Sequence, residues 1–329
     1  MSLNLTVGCR AYDRVIPLMD GRVQIEGCNT TVVPLKMEEI LSRAYGRAEF
    51  DVAELSMSSH IITTELGISP YIAIPVFISR MFRHSAIYIR TDRGIARPED
   101  LVGKVVGVPE YQMTAALWVR GMLSDVYGVM ADKISWRTGG LSQPGRQEKF
   151  GLTFGAPFDV KPIAADQTLD ALFARGDLDA IVSARAPSCY LTKSAPVDRL
   201  FPDFVSEEKS YFRKTGLFPI MHVIGIRRDL VERNPWLPTS VFKAFSAAKA
   251  ACLAAIEDDN ALQVTMPWAL QNYAEVREAM GREFWPYGVG QNKSALSAMI
   301  RYSREQGLTH KIDDIAELFT PCEEEIAGA

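Results

Sequence analysis

A chain of 329 residues, 47% hydrophobic and 23% charged, is long enough for about two domains and ordinary in composition for a globular α/β protein. Its net charge of −4 lacks the basic footprint of a nucleic-acid or anionic-membrane partner, and no run reaches the roughly 20 apolar residues of a membrane span. The five cysteines, Cys9, Cys28, Cys189, Cys252 and Cys322, are scattered without CxxC spacing, which implies neither a disulfide set nor a zinc site.

The N-terminal MSLNLTVGCRAYD enters an alternating strand directly, without the basic segment and apolar core of a signal peptide, so a cytoplasmic protein is expected. Leu3–Val7 reads as that strand, and Gly8-Cys9-Arg10-Ala11-Tyr12-Asp13-Arg14 as a polar loop. Val23–Val33 reads as a strand region broken by a turn at Gly27-Cys28-Asn29. Residues 36–46 carry Met37, Ile40, Leu41 and Tyr45 at helical spacing. Asp51–Leu55 is a brief strand running into Ser56-Met57-Ser58-Ser59-His60, with Ile61–Leu66 continuing as helix. Strands at Ile72–Phe77 and Ala86–Arg90 flank a polar segment containing Arg83 and His84.

After Arg90 the pattern restarts. The stretch GKVVGVPEYQMTAALW (103–118) predicts a short core strand over Lys104–Val108, a Pro109 turn, and a helix from near Tyr111 to about Tyr127. At such a turn the first helical N–H groups are unpaired and the helix dipole adds partial positive charge, which makes Glu110–Thr114 a candidate anion site. A plain α/β turn has the same backbone; Glu110, Tyr111, Gln112 and Thr114 crowded into it favour the functional reading. Ile134–Thr138 is a strand, and residues 139–162, rich in Gly, Pro and Phe, form the least regular stretch. A helix over Thr168–Arg175 ends at Gly176 and leads to a buried strand, Leu178–Ser183, then to Ala184-Arg185-Ala186-Pro187. A polar-aromatic run, Tyr211–Pro219, precedes a strand at Met221–Ile226. A long Ala-rich amphipathic helix from Pro238 to Glu257 and further helices complete the chain to Leu318.

This order predicts two α/β lobes. One comprises residues 1–90 plus 221–329, with a helical C-terminal tail, and the other residues 91–220. The chain crosses between them twice, so a central interlobe cleft is the expected ligand site.

The segments Arg97-Pro98-Glu99-Asp100-Leu101, GVPEYQMTA (107–115), Phe82-Arg83-His84-Ser85 and Phe218-Pro219-Ile220-Met221-His222 resemble the family of 4,5-dihydroxyphthalate decarboxylases. The similarity runs through most of the chain, and the PEYQMTA and FRHS words are its most specific part. The resemblance implies a type II periplasmic-binding-protein-like fold turned to catalysis, and loss of one carboxylate from a dihydroxylated aromatic diacid to give protocatechuate and CO2.

Direct loss of CO2 from an aryl carboxylate would leave an unstabilised carbanion in the ring plane. A hydroxyl para to the leaving group opens another route: it feeds the ring, the ipso carbon takes a proton, and CO2 leaves as aromaticity returns. Such a site needs a general acid, cations for the remaining carboxylate and partners for the ring hydroxyls. It needs no PLP, thiamine, flavin or metal, and no HxH or HExxH cluster appears, so no cofactor and no metal are expected.

Of the four histidines, His84 and His222 lie at the two expected crossovers and are the candidate proton donors, His222 being favoured. Glu110 is the rival acid, and it reads equally as a helix cap. Arg10, Arg83 and Arg185 each follow a predicted strand and suit carboxylate recognition, against the alternative of surface ion pairs. Tyr12, Ser58, Ser59, Tyr111 and Gln112 are candidate substrate contacts. His310 reads as surface, and Phe150–Phe158 as a lid or a packed loop.

The alternative is a solute-binding receptor for an aromatic or other organic acid, using the same lobes and arginines without chemistry. A relative of thiamine-pyrimidine synthases is a weaker third reading, with no cysteine-rich motif behind it. In either main case the partner is a small aromatic carboxylate, with a homo-oligomer left open.

Overall fold

The computed structural model describes residues 2–322 and divides them into two compact units. Of the described residues, unit 1 comprises 2–80, 220–296 and 314–322, and unit 2 comprises 81–219 and 297–313. Residue 1 and residues 323–329, which the expected first lobe includes, lie outside the described residues.

Unit 1 is built on a five-stranded sheet of β1 (Leu3–Cys9), β2 (Cys28–Pro34), β3 (Val52–Ser56), β4 (Tyr71–Arg80) and β11 (Ile220–Arg227), in the order β2-β1-β3-β11-β4. β1 runs parallel to β2 and β3, whereas β11 is antiparallel to both β3 and β4. Alternation in β1 puts Leu5, Val7 and Cys9 into the core. Gly8 is required there, because a Cβ at that position would lie 2.5 Å from the Phe50 ring. All of β3 is buried, as expected of a central strand covered on both faces. Leu237–Glu257 is long and apolar enough to cross a membrane, a test that a core helix of a globular protein also passes. Its Leu237, Val241, Phe242, Phe245 and Ala248 are buried within unit 1.

Unit 2 holds a six-stranded sheet of β5 (Ile87–Arg90), β6 (Val105–Val108), β7 (Ser135–Thr138), β8 (Asp159–Pro162), β9 (Ala180–Val182) and β10 (Val197–Arg199), in the order β10-β5-β9-β6-β7-β8. Strands β9, β6, β7 and β8 are mutually parallel, and β5 is antiparallel to its neighbours β9 and β10. Phe173, Leu169 and Leu178 pack with Tyr88 and Ile181 as one core cluster under this sheet.

Four sequence expectations move. The first chain crossing falls after Arg80 rather than Arg90, because β5 finds its ladder partners in the second sheet. Residues 297–313, expected in the first lobe, belong to unit 2, where Tyr302 packs on Gly121 and Trp118. The helix expected from Tyr111 begins at Thr114, since Glu110–Met113 are held as a turn. The first part of the polar-aromatic run before β11, Tyr211–Thr215, is the end of a helix, Phe204–Thr215, capped by the Asp203 side chain accepting from the Ser206 N–H.

Candidate active site

In unit 1 the chemistry collects around Glu54, a residue the sequence reading did not single out. It sits in the middle of β3 and its side chain is fully buried, where a bare carboxylate would cost several kcal/mol. Three donors offset that. The Arg10 backbone N–H donates to Oε2 at 3.0 Å, the Tyr12 hydroxyl to Oε1 at 2.8 Å and His222 Nδ1 to Oε1 at 2.7 Å. Each hydrogen bond to a charged acceptor contributes about 1.5–3 kcal/mol, so none of the three is spare.

The sheet explains the meeting. Glu54 stands opposite Ile224 in the antiparallel ladder and Ser56 opposite His222, so Glu54 and His222 are diagonal neighbours on one face. Arg10 and Tyr12 follow the carboxyl end of β1, which lies beside β3. The constellation therefore occupies the carboxyl edge of the parallel strands, where α/β sheets bind ligands.

The environment sorts these groups by role. Burial, reinforced by Glu54, pushes the Tyr12 phenol well above its ordinary range, which keeps it a hydrogen-bond donor. The same two causes raise the neighbouring Cys9 thiol, so it is not a thiolate nucleophile. Arg14 wedges Tyr12 in place: its guanidinium lies 4.2 Å from both the Tyr12 and Trp285 ring centres and donates to the Ile78 carbonyl. The His222 side chain is 17% exposed while Glu54 is sealed, so the imidazole is the member of the pair with access to the outside. With Nδ1–H committed to Glu54, Nε2 is the nitrogen left to exchange a proton.

The other unit 1 candidates are less engaged. Ser58 and Ser59 are buried at the start of the helix Met57–Glu65, and the Ser59 side chain bonds Tyr45. The Arg10 side chain is exposed, with its guanidinium 5.9 Å from the Tyr12 ring centre.

Unit 2 carries the remaining candidates in three separate places. Glu110, 2% exposed, is held by two cations from the irregular stretch: Arg146 donates from Nε and Nη2 at 2.9 and 2.6 Å, and Lys149 Nζ lies at 3.3 Å. The same stretch sends Glu148 to the backbone N–H groups of Tyr111 and Gln112, at 2.5 and 3.3 Å. The turn thus does hold an anion, the chain's own carboxylate, rather than being capped by Glu110. Phe154 of this stretch lies edge-on to the Tyr111 ring, with centres 4.7 Å apart.

His84 is buried in an aromatic cluster, its ring edge-on to Phe201 and Tyr211. Neither ring nitrogen has a hydrogen-bond partner among the described residues, and Nδ1 is 4.0 Å from the Glu208 carboxyl. Burial lowers its pKa to about 4, so it is neutral near pH 7. Burial also lowers Arg83 to about 10, against the pull of Glu208, and raises Glu208 to about 7 against backbone donors from Ser85 and His84. Arg185 is exposed just past β9.

These two sheets, each of parallel strands with antiparallel insertions, define the type II periplasmic-binding-protein-like fold. The periplasmic aliphatic sulphonate binding protein SsuA from Escherichia coli superposes with a TM-score of 0.54 at 14% identity, covering 97% of this chain and 98% of that one. The desulfurization enzyme DSZB gives 0.50 at 14% identity over 99% of both chains. At such identities the likeness is one of fold alone. No protein-family model matches the chain. Two relatives narrow the class. The 4,5-dihydroxyphthalate decarboxylase of Comamonas testosteroni is 41% identical over 319 residues, 97% of each chain. The protein of that name from Pseudomonas putida is 44% identical over 211 residues, 64% of this chain and 82% of its own. The chain belongs to the 4,5-dihydroxyphthalate decarboxylase family.

Proposed function

We propose that the protein is a cytoplasmic carboxy-lyase that converts 4,5-dihydroxyphthalate to protocatechuate and CO2 without a cofactor. The identity to the Comamonas testosteroni decarboxylase across 97% of both chains carries this reading. The Glu54–His222 pair supports it by supplying what the reaction needs.

In this proposal His222, charged by solvent and steadied at Nδ1 by Glu54, gives the Nε2 proton to the ring carbon that bears the leaving carboxylate. The hydroxyl para to that carbon supplies the electrons for the new C–H bond. The carbon–carboxylate bond then breaks, its electron pair restores the aromatic ring, and CO2 departs. One proton is consumed per turnover, and the exposed edge of His222 takes it back from water. Glu54 acts through the imidazole: it fixes the tautomer and stabilises the charged ring. Arg10, in the same unit as His222, is a candidate cation for the carboxylate that stays, and Arg83 and Arg185 are candidates in unit 2. Glu110, committed to Arg146 and Lys149, is the weaker candidate acid. No resident metal is invoked.

The test is incubation of purified protein with a panel of hydroxylated phthalates while CO2 and ring absorbance are followed. Release of CO2 from 4,5-dihydroxyphthalate is expected. Tight binding of such acids with no turnover would overturn the decarboxylase and leave the receptor reading.

A further inference from the structure

The turn between β6 and the helix Thr114–Tyr127 presents two successive backbone N–H groups, at Tyr111 and Gln112, to one carboxylate. Successive N–H groups of this kind form a concave anion nest, and the helix that follows adds its dipole. A second observation points to a ligand here. The Gln112 side chain is 1% exposed, yet neither its amide oxygen nor its amide nitrogen has a hydrogen-bond partner among the described residues. A buried amide left with four unused hydrogen-bonding positions is destabilising, and a ligand bearing both an acceptor and a donor would relieve it.

The occupant of the nest is Glu148, and its attachment is one-sided. The cations beside it in sequence, Arg146 and Lys149, are both spent on Glu110. Glu148 keeps the two backbone donors, and among the charges that act on it Arg120 attracts it while Glu110 repels it. Burial is the largest influence and raises its pKa, which marks a carboxylate paying for its desolvation. The segment that delivers it is irregular and tightly turned: a Cβ on Gly140 would lie 1.6 Å from the Gln143 carbonyl oxygen, and Gly145 adopts a φ of +81°.

We propose that the Tyr111–Gln112 nest is a binding site for a ligand carboxylate, that the Gln112 amide bonds the same ligand, and that Glu148 competes for the site from within the chain. A tethered competitor acts at an effective concentration of order millimolar, so it weakens every external carboxylate by a fixed factor. Glu148 is then an affinity-setting residue. An aromatic diacid fits the class, since one carboxylate takes the two N–H groups and a ring hydroxyl is both donor and acceptor for the amide. The choice of diacid rests on the function proposed above; the nest and its competitor do not.

Phthalate, which lacks the activating hydroxyls, separates binding from turnover. Its affinity is measured by titration calorimetry on the full-length wild type, Glu148→Gln, Glu148→Ala and Gln112→Leu, with a melting curve for each. Both Glu148 variants are expected to bind phthalate on the order of tenfold more tightly; Gln112→Leu is expected to leave phthalate binding unchanged and to weaken binding of 5-hydroxyisophthalate, which carries a hydroxyl but none ortho or para to a carboxylate. Unchanged or weaker binding in both Glu148 variants at a wild-type melting temperature overturns the proposal, and so does a lowered melting temperature with unchanged affinity, which marks a structural cap. Should no variant release CO2 from 4,5-dihydroxyphthalate while the Glu148 variants still gain affinity for phthalate, the proposed function falls and the nest stands.

Discussion

Glu54 in the middle of a core strand of unit 1 and Glu110 just past a core strand of unit 2 are both buried carboxylates, and the two are treated in opposite ways. Glu54 in unit 1 is met by a backbone N–H, a phenol and an imidazole. Glu110 in unit 2 is met by a guanidinium and an ammonium. A permanent cation neutralises a buried carboxylate and holds it in that state. An imidazole neutralises it only while carrying a proton it can give away, so the Glu54 pair can do acid–base work that the Glu110 cluster cannot. The lesson is that burial of an acid does not mark a catalytic group; the exchangeability of its partner does.

The largest effect that tests this contrast is on turnover. His222→Ala is expected to lower kcat by about 10²–10⁴-fold with KM little changed, the usual worth of a positioned general acid. Glu54→Gln, which keeps the shape but removes the charge that steadies the imidazolium, should fall in the same range. It should also shift the alkaline limb of the kcat profile, which a mere packing defect would not do. Stopped assays of CO2 release check both, and near-normal kcat in either variant breaks the comparison.

Glu110→Gln should act mainly on stability. Removing one partner of a buried ion cluster is strongly destabilising when the others stay buried, but the Arg146 and Lys149 side chains are 32% and 27% exposed and can turn to water. A loss of about 1–3 kcal/mol is expected, read as a lowered melting temperature, with kcat reduced far less than in His222→Ala. Abolished turnover at an unchanged melting temperature would transfer the acid role to Glu110.

A smaller contrast lies in acid response. His60 in unit 1 is buried against the Leu318 carbonyl, and burial lowers its pKa from 6.5 to about 4. The unfolded chain therefore binds a proton that the folded one refuses, and unit 1 loses stability as pH falls from 6.5 towards 4, by up to about 1.4 kcal/mol per pH unit. His84 has the same sign in unit 2, but Glu208 beside it is raised from 4.5 to about 7 and favours the folded state as pH falls from 7 towards 4.5. The two oppose each other across most of that window. Hydrogen exchange between pH 7 and 4 should show protection falling first in unit 1; an equal or earlier loss in unit 2 would remove the distinction. The smallest expected effect is none: dialysis against a chelator should leave turnover intact, and loss restored by added metal would overturn the metal-free mechanism.

Much of this was legible from pattern. The alternation of Leu3–Val7, the Val-Val-Gly-Val run and the apolar return strand at Met221–Ile226 all became core strands, because a two-residue period with β-branched side chains is a local signal. His222 was reachable too, since a rare titratable residue beside a predicted crossover stands out. Glu54 was the main omission. The one signal for it was an acidic residue inside the apolar run Val52-Ala53-Glu54-Leu55, and an isolated strand of five gives no hint of what will face it. Arg146, Glu148 and Lys149 were missed for another reason: they lie in a stretch with no period at all, so only tertiary contact assigns them partners. The crossing at Arg80 was misplaced because β4 runs on to residue 80 in one sheet and β5 begins seven residues later in another, with no break in composition between them.

The antiparallel strand β11 has a consequence for how the protein is made. His222 and Glu54 are separated by 168 residues, and nearly all of unit 2 is encoded between them. A chain leaving the ribosome N-terminus first exposes Glu54, Tyr12 and Arg10 early, but it cannot supply the imidazole until β11 emerges and inserts between β3 and β4. Until then β3 and β4 lack the strand that joins them, and the buried acid lacks its proton carrier. Synthesis thus runs to two thirds of its length before the pair exists, and a chain stopped short of residue 220 is not a slower version of the molecule but one that lacks the proposed proton donor altogether.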